Sequence, residues 1–195
     1  MTEVEIPNPE ELEELRTKGF TRRVALTTAI FAVVLAIASL GGNNAMKEML
    51  LSQQQASDQW AFYQSKVLRE HLYRTNGLRM EADLLERGPA MKPNAKKLYE
   101  SLLKDLRAEE THYREEKKQI EEEARRLEGH RDKNRDKDPY FDYAEVLLQI
   151  SIVLSSIAIL AVSRPVYYFA IGAASLGTLL MLNGFLLIFK IPFFH

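Results

Sequence analysis

The residue pattern best suited to chemistry in this chain is Glu109-Glu110-Thr111-His112. A Glu-x-x-His spacing sets both side chains on one face of a helix, and paired copies of it hold di-iron centres in carboxylate helix bundles. If the charged middle of the chain folds back on itself near residue 90, His71, with Glu70 beside it, falls opposite Glu109. His71, Glu109 and His112 would then form a conceivable metal cluster. The second Glu-x-x-His that a di-iron site requires is missing, and a helix this rich in glutamate holds the spacing by chance. The sequence therefore assigns no catalytic residue, no cofactor-binding residue and no metal ligand.

Other chemistry has less to work with. No Gly-x-x-x-x-Gly-Lys, Gly-x-Gly-x-x-Gly, His-Glu-x-x-His or Gly-x-Ser-x-Gly run is present, so nucleotide, dinucleotide, zincin and hydrolase readings lack their signatures. With no cysteine, disulfides, thiolate catalysis and Cys-ligated zinc or iron–sulfur sites are excluded. The 26 basic and 27 acidic residues give a net charge of −1, and no segment is basic enough to suggest nucleic acid as a partner. The expectation is a protein that is not an enzyme.

The elements that carry these residues follow from how charge is distributed. A composition of 46% hydrophobic and 27% charged residues, with a mean hydropathy of −0.23, matches a soluble domain on average. Along the chain the two classes separate. No Asp, Glu, Lys or Arg occurs from Val24 to Met46, from Val146 to Ser163 or from Pro165 to Phe189. Apolar runs of ~18 residues or more are long enough to cross a bilayer as helices. The expected fold is an all-α membrane protein with three transmembrane helices and a long antiparallel, coiled-coil-like helical hairpin.

Residues 1–23 form an acidic then basic lead-in, and 24–42 form the first span, read as an uncleaved anchor with Gly41–Gly42 at its end. Residues 43–141 form the charged hairpin, with its turn near 88–93 at Gly88-Pro89…Pro93 and a second turn signal at Asp138-Pro139. Its two helices, about 44–87 and 94–137 with Asn94 as N-cap, would each be ~65 Å long. The second span, 144–163, is entered through Tyr140, Phe141 and Tyr143, a residue type that favours the headgroup layer. The third span, 166–189, follows after Ser163-Arg164-Pro165, where proline discourages helix continuation.

Heptad spacing aligns Tyr99, Leu106, Tyr113, Ile120 and Leu127 on one seam of the second hairpin helix, with Leu102, Glu109, Glu116 and Glu123 beside it. In the first helix the track is Met46, Gln53, Trp60, Val67 and Arg74. A turn near residue 90 would set Trp60 opposite Ile120 and Val67 opposite Tyr113. So thin a seam buries too little to stand alone, which implies a homo-oligomer. In the third span Ala170, Ala174, Gly177, Met181 and Gly184 make a face of small residues, matched by Ser151, Ser155 and Ala158 in the second. Such faces allow close helix approach, either within one chain or between subunits. Asn183, the most polar group at depth, is expected to bond between packed helices.

Arg16, Lys18, Arg22 and Arg23 precede the first span while only Lys47 closely follows it. The positive-inside rule then sets the amino terminus in the cytoplasm and the hairpin outside. The segment Gln53 to Lys66, with Asp58-Gln59-Trp60-Ala61-Phe62-Tyr63-Gln64-Ser65-Lys66 at its centre, and its continuation through Glu70-His71-Leu72-Tyr73, resembles an uncharacterised bacterial membrane-protein family catalogued as a domain of unknown function. The resemblance covers nearly the whole chain and implies a location in the bacterial inner membrane, but no reaction and no ligand. The functional expectation is a membrane-anchored, non-enzymatic homo-oligomeric scaffold whose hairpin meets a protein partner. The alternative is a passive channel, its pore lined by Thr27 and Thr28 or by Ser151 and Ser155.

Overall fold

The computed structural model describes residues 9–190, and every regular element among them is helical: α1 (Pro9–Arg87), a 3₁₀ turn (Gly88–Ala90), α2 (Pro93–Arg135), α3 (Asp138–Leu160) and α4 (Arg164–Leu186). Within Glu13–Ala90, Pro93–Leu160 and Arg164–Leu186 lie three helical stretches long and apolar enough to cross a membrane by length and composition. The chain divides into two compact units, one holding the residues through Glu48 and from Lys133 onward, the other residues 49–132.

The first span and the first hairpin helix form one continuous element. α1 runs through both glycines, neither of which adopts a positive φ. Their role is steric. In the first unit the ring of Phe141 is 1% exposed and is held edge-on against Phe185 at 4.8 Å. A Cβ on Gly41 would fall 2.5 Å from Phe141 Cε1, and one on Gly184 would fall 3.1 Å from Phe141 Cζ. Phe141 thus fills a socket that only glycine leaves open, with its ring turned toward neighbouring helices. Tyr140 is buried too, its hydroxyl donating to the Phe189 carbonyl at 3.0 Å, while Tyr143 is exposed.

Around that socket Ala38, Ala45, Ala144, Leu148, Ala174 and Met181 form the core, with Phe31, Val34, Leu35 and Leu180 packed against it. The small-residue face of α4 (Ala170, Ala174, Gly177, Met181, Gly184) is buried, and so are Ser151, Ser155 and Ala158 on α3. A Cβ on Gly177 would meet the Ala144 carbonyl at 3.1 Å. Of the two uses left open for these faces, the structure shows packing within one chain.

The exit of α3 is a Schellman turn: Ser163 N–H donates to the Ala158 carbonyl and Val162 N–H to that of Ile159. Val162 takes the left-handed conformation, φ 49°, that glycine normally supplies. Pro165 lies in the first turn of α4, so it opens that helix, where its missing N–H costs nothing. Asn183 does not bond between helices as expected. Its amide donates to the Phe189 carbonyl at 2.8 Å and accepts from the Phe189 N–H at 2.9 Å, closing the end of its own helix.

Candidate functional site

The second unit is an antiparallel pair made by the 49–87 part of α1 and the 93–132 part of α2. Its register differs from the expected one by about two helical turns. Trp60 Nε1 donates to Glu128 at 3.0 Å instead of facing Ile120, and Tyr113 stacks on Tyr73 at 5.4 Å instead of meeting Val67. Arg131 to Gln53 and Arg107 to Glu81 keep the same pairing toward either end. The turn is longer than a symmetrical fold at residue 90 allows, because Gly88–Ala90 forms its own 3₁₀ turn and α2 starts only at Pro93. Lys92, rather than Asn94, accepts the first bond of α2, from Lys96 N–H.

On α2 the heptad Tyr99, Leu106, Tyr113, Ile120 and Leu127 is turned inward, partly to fully buried. Its companion track holds only in part: Glu116 and Glu123 are partly buried but Leu102 and Glu109 are exposed, and Leu103, Glu110, Lys117 and Ala124 are sheltered beside them. The inward track of α1 is Ser52, Ala56, Tyr63, Lys66, Glu70, Tyr73 and Gly77; of the expected track Trp60 and Val67 are partly buried beside it, whereas Met46, Gln53 and Arg74 are exposed. Apolar periodicity misses this face because small residues and paired charges occupy it.

These charges carry the site. Lys66 is buried with its ammonium 2.7 Å from Glu116 and lies over the rings of Phe62 and Tyr113 at 4.9 and 5.2 Å. One turn on, Glu70 accepts from Arg114 at 3.2 Å and from Lys117 at 2.5 Å. Burial alone would raise the Glu70 carboxyl, but the hydrogen bonds and charges of Lys117 and Arg114 outweigh it and hold the group below its ordinary value. The Lys66 hydrogen bond lowers Glu116 in the same way. Trp60 is half-buried, with Tyr63 edge-on at 5.4 Å and the Arg125 guanidinium 5.9 Å from its ring. The Trp60…Tyr63…Lys66…Glu70 spacing thus places one aromatic or charged anchor per turn on α2.

The structure does not gather His71, Glu109 and His112. His112 Nε2 faces Glu116 at 3.7 Å on its own helix, Glu109 is exposed, and no group of three acidic or histidine side chains among the described residues is placed to hold a metal ion. The role of Lys66 and Glu70 in pairing the helices was missed from sequence, although a 3, 4, 3 spacing of Tyr63, Lys66, Glu70 and Tyr73 is a detectable helix face. On the opposite face of α1, Leu50, Gln54, Ser57, Ala61, Ser65, Leu68 and Leu72 are all exposed. That stripe carries no charge, and its leucines are more than half exposed.

A helical chain with three membrane-length apolar stretches and a charged helical pair defines the class. By sequence the chain belongs to the family described as Domain of unknown function (DUF4337), whose model matches residues 20–187. No curated protein matches, and no solved structure does.

Proposed function

We propose that this protein is a non-enzymatic, membrane-anchored homo-oligomeric scaffold of the bacterial inner membrane. Three helices cross the bilayer, the amino terminus is cytoplasmic, and the charged hairpin lies outside, where it meets partners. The observation that carries the anchor is the outer surface of the first unit. Leu26, Ile30, Val33, Ile37 and Leu40 on α1, and Val146, Ile150, Val153, Ile157 and Leu160 on α3, are all at least 44% exposed. A water-soluble protein does not sustain apolar faces of that length, whereas lipid tails solvate them without penalty.

Self-association rests on the outward stripe of α1 from Leu50 to Leu72. Copies anchored in one membrane share one orientation, so a neighbour packs in parallel and each residue meets its own counterpart. Like charges opposed in that way repel, and a face of Leu, Gln, Ser and Ala is compatible with such pairing. The channel alternative gains nothing from the same observations. Ser151 and Ser155 are fully buried, and both Thr27 and Thr28 bond back to the Val24 carbonyl.

Two measurements on the full chain test the reading. Alkaline carbonate should leave the protein in the membrane pellet, and its native mass in nanodiscs should be a multiple of 22.4 kDa that falls to one chain in L68E/L72E. Release by carbonate would refute the anchor, and a wild-type monomer would refute the scaffold.

A further inference from the structure

In the first unit, where the charged lead-in of α1 meets the start of α4, Arg16, Phe20, Arg23, Arg164, Tyr167 and Tyr168 line an open cleft of about 580 Å³. The 4, 3, 4 spacing of Arg16, Phe20, Arg23 and Thr27 puts these residues on one helical face. That face is fixed against α4 by two contacts: Phe20 lies edge-on to Tyr167 at 5.8 Å, and the Thr27 and Tyr167 hydroxyls share a hydrogen bond of 3.2 Å. The cleft therefore has a built wall.

Its electrostatics are one-sided. No carboxylate lines it, and none of the three arginines makes an ion pair with a described residue, whereas Arg107, Arg114 and Lys117 of α2 each pair with a glutamate of α1. The start of α4 adds to the positive potential. Ser163 makes no side-chain cap bond and Pro165 occupies the first turn, so the first-turn N–H groups have no side-chain acceptor from the cap and the positive end of the helix dipole lies at this end. Arg23 directly precedes the charge-free run that starts at Val24, and Arg164 directly precedes the one that starts at Pro165. Both guanidinium groups thus mark the level where apolar helix begins, with tyrosine rings beside them.

We propose that this cleft binds the phosphate headgroup of an anionic phospholipid, with the guanidinium groups on the phosphate oxygens and the Tyr167 and Tyr168 rings against the glycerol and first acyl carbons. The inference rests on the membrane reading above. Guanidinium groups suit it because they donate in pairs to phosphate oxygens, and a basic pocket beside helix ends at the cytoplasmic surface is where anionic headgroups are held.

The test is native mass spectrometry of the full chain in detergent, titrated with phosphatidylglycerol or with phosphatidylcholine, and with inorganic phosphate as competitor. Phosphatidylglycerol should be retained over phosphatidylcholine, with affinity falling about fivefold for each of R23Q and R164Q. R164K, which keeps the charge but not the paired donors, should lose less affinity than R164Q, and K97Q, which removes the same charge from the hairpin, should change nothing. All three arginines are exposed, so circular dichroism should match the wild type. Equal retention of the two lipids, or equal loss in K97Q, would overturn the site. Displacement of the lipid by millimolar inorganic phosphate would reassign the cleft to free phosphate and overturn it as a lipid site. Release of the chain by alkaline carbonate would remove the membrane reading itself, whereas an integral chain without lipid preference would remove only the cleft.

Discussion

Alanine at Gly41 and alanine at Gly172 should shift stability in opposite directions. Both glycines are helical and neither has a positive φ, so backbone conformation permits alanine at either, and helix propensity favours it by up to ~1 kcal/mol. At Gly172 nothing lies within 4 Å of the added carbon, and that gain stands alone. At Gly41 the new Cβ would lie 2.5 Å from Phe141 Cε1 and 2.8 Å from Phe185 Cζ. Phe141 has little room in which to yield, because it is 1% exposed and its ring is packed edge-on against Phe185. Overpacking of this kind costs about 1–3 kcal/mol, so after the propensity gain of ~1 kcal/mol the net expectation for G41A is a loss of up to ~2 kcal/mol against a small gain for G172A. Thermal unfolding of the full chain in detergent, followed by circular dichroism at 222 nm (approximately the helix minimum), measures both. F141L should suppress G41A, with the double variant losing less than the sum of the singles, because the two residues share one space. Equal shifts for G41A and G172A would refute the socket around Phe141.

Three further outcomes follow from the same structure. E70Q should destabilise the hairpin unit by about 1–2 kcal/mol, since it weakens two charge-assisted hydrogen bonds at partly exposed partners. Because the folded-state carboxyl of Glu70 is lowered from 4.5, its contribution is full above that value and is lost as pH falls through the lower folded value. Acid unfolding of the hairpin should therefore be shallower in E70Q, and a chemical-denaturation series across that pH range checks it. S155A should be neutral or stabilising by up to ~1 kcal/mol, because the Ser155 hydroxyl is buried without a hydrogen-bond partner. V162G should raise the melting temperature by relieving a β-branched residue held at φ 49°, and a fall would remove the strain assigned to that turn.

Helix content, the break between Arg87 and Pro93 and the two small-residue faces were legible because each has a local cause: charge-free runs, a Gly-Pro-Pro cluster and a 4, 3 repeat. The pairing register was not legible. It depends on how many residues the 3₁₀ turn consumes and on which small or charged residues meet, and apolar periodicity is silent on both. Lys66 and Glu70 illustrate the point, since each looks like a solvated helix residue until its partner on α2 is known. The contact of Phe141 with Gly41 was hidden for a related reason: an aromatic at the start of one apolar run and a glycine pair at the end of another do not announce that they meet, and only the tertiary approach of α1, α3 and α4 brings them together. Asn183 closes its own helix because Leu187 takes a left-handed turn, a conformation that sequence spacing does not announce.

The central claim, a scaffold self-assembled through the outward face of the hairpin, is tested most directly by a single thiol. The chain has no cysteine, so A61C carries one, at the middle of the stripe, and a disulfide there requires two copies in parallel register. Oxidation in native membranes should give a dimer band for A61C and none for K118C, an exposed position on α2. Monomer alone at A61C, or equal cross-linking at both positions, would contradict the account.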